Sequence, residues 1–473
     1  VGVFAQRFDE AIDSSRLCPI WCKVWNQAKP CKGGKLTVIN RDHYLKQLVK
    51  SQFNGRVKVI TGIRRCGKSF LLSTIYRAHL LKSGVSNDCI IDIDLEKREH
   101  ASLRNPELLY DYVLQHVASP QKHYVFVDEI QLSYRVKRDE IDEELVPPED
   151  RDLLYTTFYD VLNDLIGREN IDVYVTGSNS KMLSSDIITN FRDRATQIHM
   201  WPLSFSEFLD FADMDQSAAW AEYLVYGGMP LAVLASTETE RETYLKGLFR
   251  SMYQADIVER YGIDNTFALE QLTKELASAV GSLTNPEKLA NTLNTVAHAG
   301  ISNKTVKRYL DALEDSFLFS KAERYDVRGK RYFDYPTKFY AVDTGLRNAW
   351  LNFRQIEETH LMENVIYNEL RMRGYSVDVG AVRVRESRDG KRRDGMQEID
   401  FVVNRGHERF YIQSAWRLEG EEKREQELRP LLKTGDSFRK IVVVGGSQHP
   451  WTDDRGITYV GVIPFLLDPA ILG

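Results

Sequence analysis

The sequence predicts an α/β protein that begins on a parallel sheet, passes through a helical region and ends in a second α/β region. Three observations predict it. Val57–Thr61, VKVIT, is a β-branched strand that runs into Gly62-Ile63-Arg64-Arg65-Cys66-Gly67-Lys68-Ser69 and then an apolar helical run from Phe70. Further on, His123–Val127 is an apolar strand that ends in Asp128-Glu129. Beyond about residue 236 the apolar period becomes helical, and strand-like runs return after Pro336.

Size and composition bound the rest. A chain of 473 residues is expected to hold about two to four domains. Its 43% hydrophobic and 28% charged residues read as globular. A net charge of −5 argues against a uniformly basic nucleic-acid binder and leaves a local basic face open. No stretch reaches the roughly 18 apolar residues of a membrane helix, and nothing reads as a secretory signal, so no membrane contact and a cytoplasmic location are expected. Cys18, Cys22 and Cys31 lack a fourth ligand at zinc spacing, and Cys66 inside the glycine loop suits a reducing compartment.

Residues 1–37 show no sustained period and read as an extension, native or introduced with expression. Regular structure is expected from Val38, with a helix presenting Tyr44, Leu45, Leu48 and Val49. The segment Gly62–Phe70 then reads as a phosphate-binding loop. Its glycines let backbone N–H groups converge on phosphate oxygens at a helix N-terminus. Lys68 would reach the β- and γ-phosphates of ATP, and Ser69 would offer its hydroxyl to Mg²⁺. Cys89–Asp94 is a further strand. Parallel strands deliver their C-terminal ends to one edge, so Asp128 is expected beside Ser69 as a Mg²⁺ ligand, with Glu129 polarising the attacking water. Between these carboxylates and the next strand, YRVKRDEIDEELVPPEDRD reads as a solvated insertion. Ile171–Thr176 is that strand, and Asn179 beyond it is a candidate to contact the γ-phosphate or the water, since an amide both donates and accepts.

GIRRCGKS, HYVFVDEIQ, VYVTGSNSKML, WPLSFSEFLDF and EYLVYGGMP, in this order, resemble the AAA+ superfamily. More closely, they resemble archaeal and bacterial ATPases that join such a domain to a C-terminal nuclease-like domain of unknown function. The resemblance implies that Asn179 is the first sensor residue. It implies an arginine finger at Arg192 or Arg194, acting toward a neighbour's nucleotide in a homo-oligomer. It also implies that the segment ending in Pro230 packs near the adenine.

Helices are expected over Glu240–Val258 and Leu269–Val280, and three more segments within 282–326. The last, with Lys304, Lys307 and Arg308 outward, precedes a strand pair and outlines a winged helix-turn-helix. DNA contact and a purely structural use both stay open. From Pro336 the pattern resembles the PD-(D/E)xK nuclease-like fold, with Glu363 or Glu369 on a helix, Asp400 on a strand and Gln413 on the next. The lysine position holds Ala415, which supplies no charge, so a catalytically degenerate domain is expected. The expected division is 1–37, 38–235 (P-loop AAA+ ATPase), 236–335 (helical and winged helix) and 336–473 (nuclease-like).

The expected function is Mg²⁺-dependent ATP binding and hydrolysis, with the C-terminal half engaging nucleic acid or a protein client. Two alternatives are an ATP-regulated DNA nuclease of a defence or mobile-element system, and an ATP-binding structural module without turnover.

Overall fold

The computed structural model describes residues 39–117, 120–177, 191, 193–388 and 391–472, without the side chains of 384–388 and 391–394. Among the described residues no helix is long and apolar enough to cross a membrane. Helix α1, Asp42–Lys50, buries Tyr44 and Leu48. Strand β1, Val57–Thr61, is buried along its whole length, as five consecutive β-branched or aliphatic-stemmed residues in a two-sided sheet should be. Helix α2 covers 68–82 and is π-helical over Leu71–Tyr76.

Next come β2 (Ile90–Asp94), helix α3 (Pro106–His116, started by Asn105 and Pro106) and β3 (His123–Asp128). The charged insertion forms short 3₁₀ turns and a two-residue strand pair, β4 (Val136–Lys137) with β5 (Tyr155–Thr156). It is solvated, with Leu145 and Leu153 exposed. Helix α4 (Phe158–Leu165) leads to β6 (Ile171–Gly177), and β7 (Ala195–His199) follows. The five long strands form one parallel sheet in the order β2-β3-β6-β1-β7. All their C-terminal ends therefore lie on one edge. Under that edge, the buried Lys58 pairs with Asp172, which also accepts from Tyr174 Oη at 2.6 Å. Satisfying a charge between two central strands ties their register together.

Helices α5 (Phe205–Phe211), α6 (Gln216–Tyr226), α7 (Pro230–Leu234) and α8 (Glu238–Met252) follow, and α8 runs on into a π-helical turn, Tyr253–Glu259. Helix α9 (Thr266–Ser278) precedes β8 (Leu283–Thr284), α10 (Pro286–Val296) and α11 (Asn303–Asp315). Two helices stand between 282 and 326 where three were expected, because Leu283–Thr284 pairs with Thr337 and Lys338 instead of entering a helix. Then β9 (Phe319–Asp326) and β10 (Arg331–Ala341) form an antiparallel pair.

Helices α12 (Thr344–Trp350) and α13 (Glu358–Met372) lead to β11 (Ser376–Arg388), β12 (Lys391–Arg405) and β13 (Glu408–Ala415). Helix α14 (Glu421–Leu432), β14 (Arg439–Val444), β15 (Trp451–Thr452), β16 (Ile457–Gly461) and α15 (Val462–Leu467) complete the chain. One nine-stranded sheet, ordered β15-β16-β14-β13-β12-β11-β9-β10-β8, joins these strands. Strand β10 passes unbroken through residues 335 and 336, so the helical region and the last region share a sheet.

Candidate nucleotide site

The loop between β1 and α2 is shaped by its glycines. Gly62 has φ +143° and Gly67 φ +102°; a Cβ on Gly62 would collide with the Met200 carbonyl oxygen. Arg65, φ +66°, is the one side chain here held in the left-handed region. Cys66 is fully buried against Met200. Lys68 is 4% exposed, and its Nζ donates to the carbonyls of Gly62 (3.0 Å) and Ile63 (3.1 Å). The ammonium is thus folded over the loop whose N–H groups open α2.

Strand β3 delivers Asp128 to the same edge. Its carboxylate accepts a hydrogen bond from the Thr176 hydroxyl, and the Ser69 hydroxyl lies beside it. Burial lifts its pKa to about 6, with neighbouring Glu129 adding to the rise and the two hydroxyls opposing it. Glu129 follows in the left-handed region, φ +54°. Its N–H donates to Thr176 Oγ1 at 3.0 Å, and its carboxylate accepts from Gln131. Thr176 therefore braces both acidic residues at once. It was not singled out from sequence, although its place as the last polar side chain before Gly177 at a strand's C-terminal end was a signal.

A cleft of about 1020 Å³, open mouth included, runs from these groups. Its lining combines Arg64 to Phe70, Asp128 and Glu129 with the apolar Ile39, Met200, Leu203, Pro230, Leu231 and Leu234. The cleft thus combines polar groups with apolar side chains, as a nucleotide pocket requires. The donor set suits Mg²⁺·ATP: a hydroxyl and an adjacent carboxylate from the protein, with phosphate oxygens left to complete an octahedron. Among the described residues, no group of three or more His, Cys, Asp or Glu has metal-binding geometry.

Arg41 reaches the same wall, donating to the Trp201 carbonyl at 2.6 Å and pairing with Glu207 at 3.1 Å. Arg64 pairs with Glu96 and with Asp256 of the π-helical turn, each at 3.7 Å. His199, at the end of β7, is pushed down to about 4 by burial, then by Arg371 and Lys68.

Asn179 and Arg192 lie outside the described residues. Arg194 is exposed at the N-terminal end of β7, where its carbonyl accepts from Val57 N–H at 2.9 Å. The phosphate loop leaves the other end of β1, roughly 13 Å away by strand rise. Arg194 and its own chain's loop thus stand at opposite ends of the sheet.

In the last region Lys338 of β10 is buried among three carboxylates. Its Nζ lies 2.8 Å from Glu363, 2.6 Å from Glu398 and 3.4 Å from Asp400. Burial alone would lower Lys338; the carboxylates outweigh it and hold the ammonium well above the usual lysine value. Glu363 is lifted to about 7, by burial first, against the pull of Lys338. Of the expected residues, Glu363 and Asp400 meet at Lys338, and Gln413 lies beside Asp400, its Oε1 accepting from the Asp400 N–H at 3.4 Å. Glu369 pairs with Arg373 at 2.7 Å. Gln413 donates to Glu427 of α14 at 3.0 Å, and Ala415 packs with Leu428 and Leu431 of that helix. The Ser414 backbone N–H donates to Asp400 Oδ2 at 2.9 Å. The β11–β12 pairing shifts register between Ile399 and Val402, around Asp400. Nothing in the local sequence announced Lys338, which lies far from Asp400 along the chain.

Comparison with known proteins agrees with this geometry. Residues 54–209 match the AAA domain family, so the chain carries an AAA-type ATPase domain. Residues 217–357 match a domain family of unknown function. The chain belongs to the same family as an uncharacterized protein of Haemophilus influenzae, to which it is 34% identical over 436 residues, covering 91% of this chain and 99% of the relative. An uncharacterized protein of Methanocaldococcus jannaschii is 26% identical, with 91% of each chain covered. Among solved structures, the Aeropyrum pernix ORC2 protein (ADPNP-ADP complexes) is similar at 11% identity and a TM-score of 0.38, over 70% of this chain and 93% of that one.

Proposed function

We propose that the protein is a Mg²⁺-dependent ATP-hydrolysing switch whose C-terminal half engages nucleic acid or a protein client. The observation that carries this is the contact of Ser69, Asp128 and Thr176 beside Lys68. Lys68 and the N–H groups of 62–70 hold the phosphates of ATP, and the apolar wall at Pro230 holds the base. Ser69 and Asp128 hold Mg²⁺, which neutralises charge on the phosphates. Glu129, fixed by Thr176 and Gln131, orients and deprotonates the attacking water. Asn179 contacts the γ-phosphate. Arg194 or Arg192 reaches the nucleotide of a neighbouring copy; the distance of Arg194 from its own loop supports action in trans.

The order α9-β8-α10-α11-β9-β10 supports the winged-helix reading of 236–335, with Lys304, Lys307 and Arg308 exposed on α11. The order α13-β11-β12-β13-α14-β14 supports a nuclease-like fold for 336–473. Its carboxylates are engaged by Lys338, which favours binding over cutting. We place residues 38–235 in the ATPase domain.

The test is ATP turnover with and without double-stranded DNA, single-stranded DNA and RNA, alongside sizing in ATP. Stimulation by a nucleic acid identifies that class of partner, and its absence points to a protein client. No turnover under any condition overturns the proposal.

A further inference from the structure

We infer that Asp343, a residue of the C-terminal region, is a positioning residue of the nucleotide cleft and makes nucleotide affinity depend on the docking of that region. This rests on the nucleotide-site reading above. The apolar wall Pro230, Leu231 and Leu234 is the first turn and a half of α7, and the chain reaches it through Gly227-Gly228-Met229. Gly228 N–H donates to Asp343 Oδ2 at 2.7 Å, while its carbonyl accepts from Leu203 N–H at 2.8 Å. The peptide is therefore clamped between Leu203, itself a wall residue, and the carboxylate.

The clamp leaves no slack. Gly227 has φ +68°, and a Cβ there would collide with both oxygens of Asp343. A Cβ on Gly228 would collide with the Leu203 carbonyl. Two successive glycines are thus required by close approach from opposite sides. The contacts extend along the end of α6. Thr344 Oγ1 donates to the Tyr223 carbonyl at 3.1 Å, and Asn348 Nδ2 donates to those of Leu224 (3.0 Å) and Val225 (2.8 Å). The carbonyls of Leu224 and Val225 are among those a helix end leaves without a helical partner, and here Asn348 of α12 supplies the donor. Asp343 also caps α12, accepting from Leu346 N–H at 2.9 Å. One fully buried carboxylate thereby fixes the start of α12 and the approach to the nucleotide wall together.

The position of the wall relative to the phosphate loop consequently depends on α12. The groups that would act on the phosphates, Lys68, Asp128 and Glu129, do not touch Asp343. Loss of the carboxylate should weaken binding of the base and leave the chemical step alone.

The experiment compares Asp343→Ala, the near-isosteric Asp343→Asn and wild type in the full chain. Affinity for a fluorescent ATP analogue and steady-state KM and kcat for ATP and GTP are measured. Asp343→Ala is expected to raise Kd and KM for ATP about ten-fold or more, to narrow the difference between ATP and GTP, and to change kcat at saturation less than about two-fold. Asp343→Asn, which keeps one acceptor for Gly228, should fall between, and it carries the test if the alanine variant does not fold. A merely structural role would lower kcat and thermal stability with KM unchanged, and would overturn the inference. Wild-type Kd and KM in both variants, with Lys68→Ala failing to bind, would overturn the inference and leave the site reading intact. No nucleotide binding by wild type would overturn both.

Discussion

Lys338 Nζ stands 2.8 Å from Glu363 Oε1, and Glu398 and Asp400 close on the same ammonium. One cation thus serves three carboxylates inside the last region. Replacing Lys338 with Met strands those carboxylates, so stability should fall by about 3–5 kcal/mol in denaturant unfolding. Adding Glu363→Gln should recover part of the loss, since it removes one of the stranded charges. Wild-type stability in Lys338→Met would show that the ammonium does not hold the cluster.

The same arrangement predicts that the pure protein does not cut DNA. A metal would have to compete with a covalently supplied ammonium for its carboxylates. Plasmid and linear DNA incubated with Mg²⁺ or Mn²⁺, with and without ATP, should stay intact. Cleavage that vanishes in Asp400→Ala would contradict this; cleavage that persists in that variant marks a contaminant.

Lys68 and Glu129 should separate binding from turnover. Lys68→Ala removes the main countercharge to the phosphates and should abolish tight ATP·Mg²⁺ binding in a nucleotide titration. Glu129→Gln keeps size and hydrogen bonding, so binding should survive while turnover drops roughly 10²-fold or more. A Gln variant as fast as wild type would locate the base elsewhere.

Arg194→Ala should spare ATP binding and cut turnover. Mixed with Lys68→Ala protein, it should regain activity, because one mixed interface joins an intact loop to an intact arginine. Absence of recovery, with subunit exchange demonstrated by labelled chains, would exclude action of Arg194 in trans.

Asp343 should add a pH dependence to stability. Burial raises it from 3.8 to about 6, against three opposing backbone hydrogen bonds. A raised carboxylate pKa means the native state holds the proton longer than the unfolded chain. The contribution is fully present below about pH 4 and is lost as pH rises through about 6, by roughly 3 kcal/mol in all. Asp343→Asn cannot titrate. The stability of wild type relative to that variant should therefore fall between about pH 4 and pH 7 in urea unfolding. A constant difference would show that Asp343 does not titrate in this range.

The nucleotide end was legible in sequence because its chemistry is local. A strand, a glycine loop and a helix are contiguous at Val57–Ile75, and the parallel sheet rule alone brings Asp128 to the loop. The start of α11 at Ser302 was likewise local, since the Ser302 side chain caps Thr305 N–H within one turn. Contacts between distant segments were not. Thr176 became a brace only when β6 was seated beside β3. Lys338 entered the carboxylate cluster through strand order, which no local period encodes. Asp343 reached Gly228 because α12 docks on the end of α6, 115 residues apart in sequence. Sequence by itself determined which backbone groups and side chains could serve the nucleotide, since those needs are met within a few residues of chain. Tertiary structure decided which charges are paired and which wall is held, because burial and hydrogen-bond partners there come from elements that meet only when the sheets are assembled.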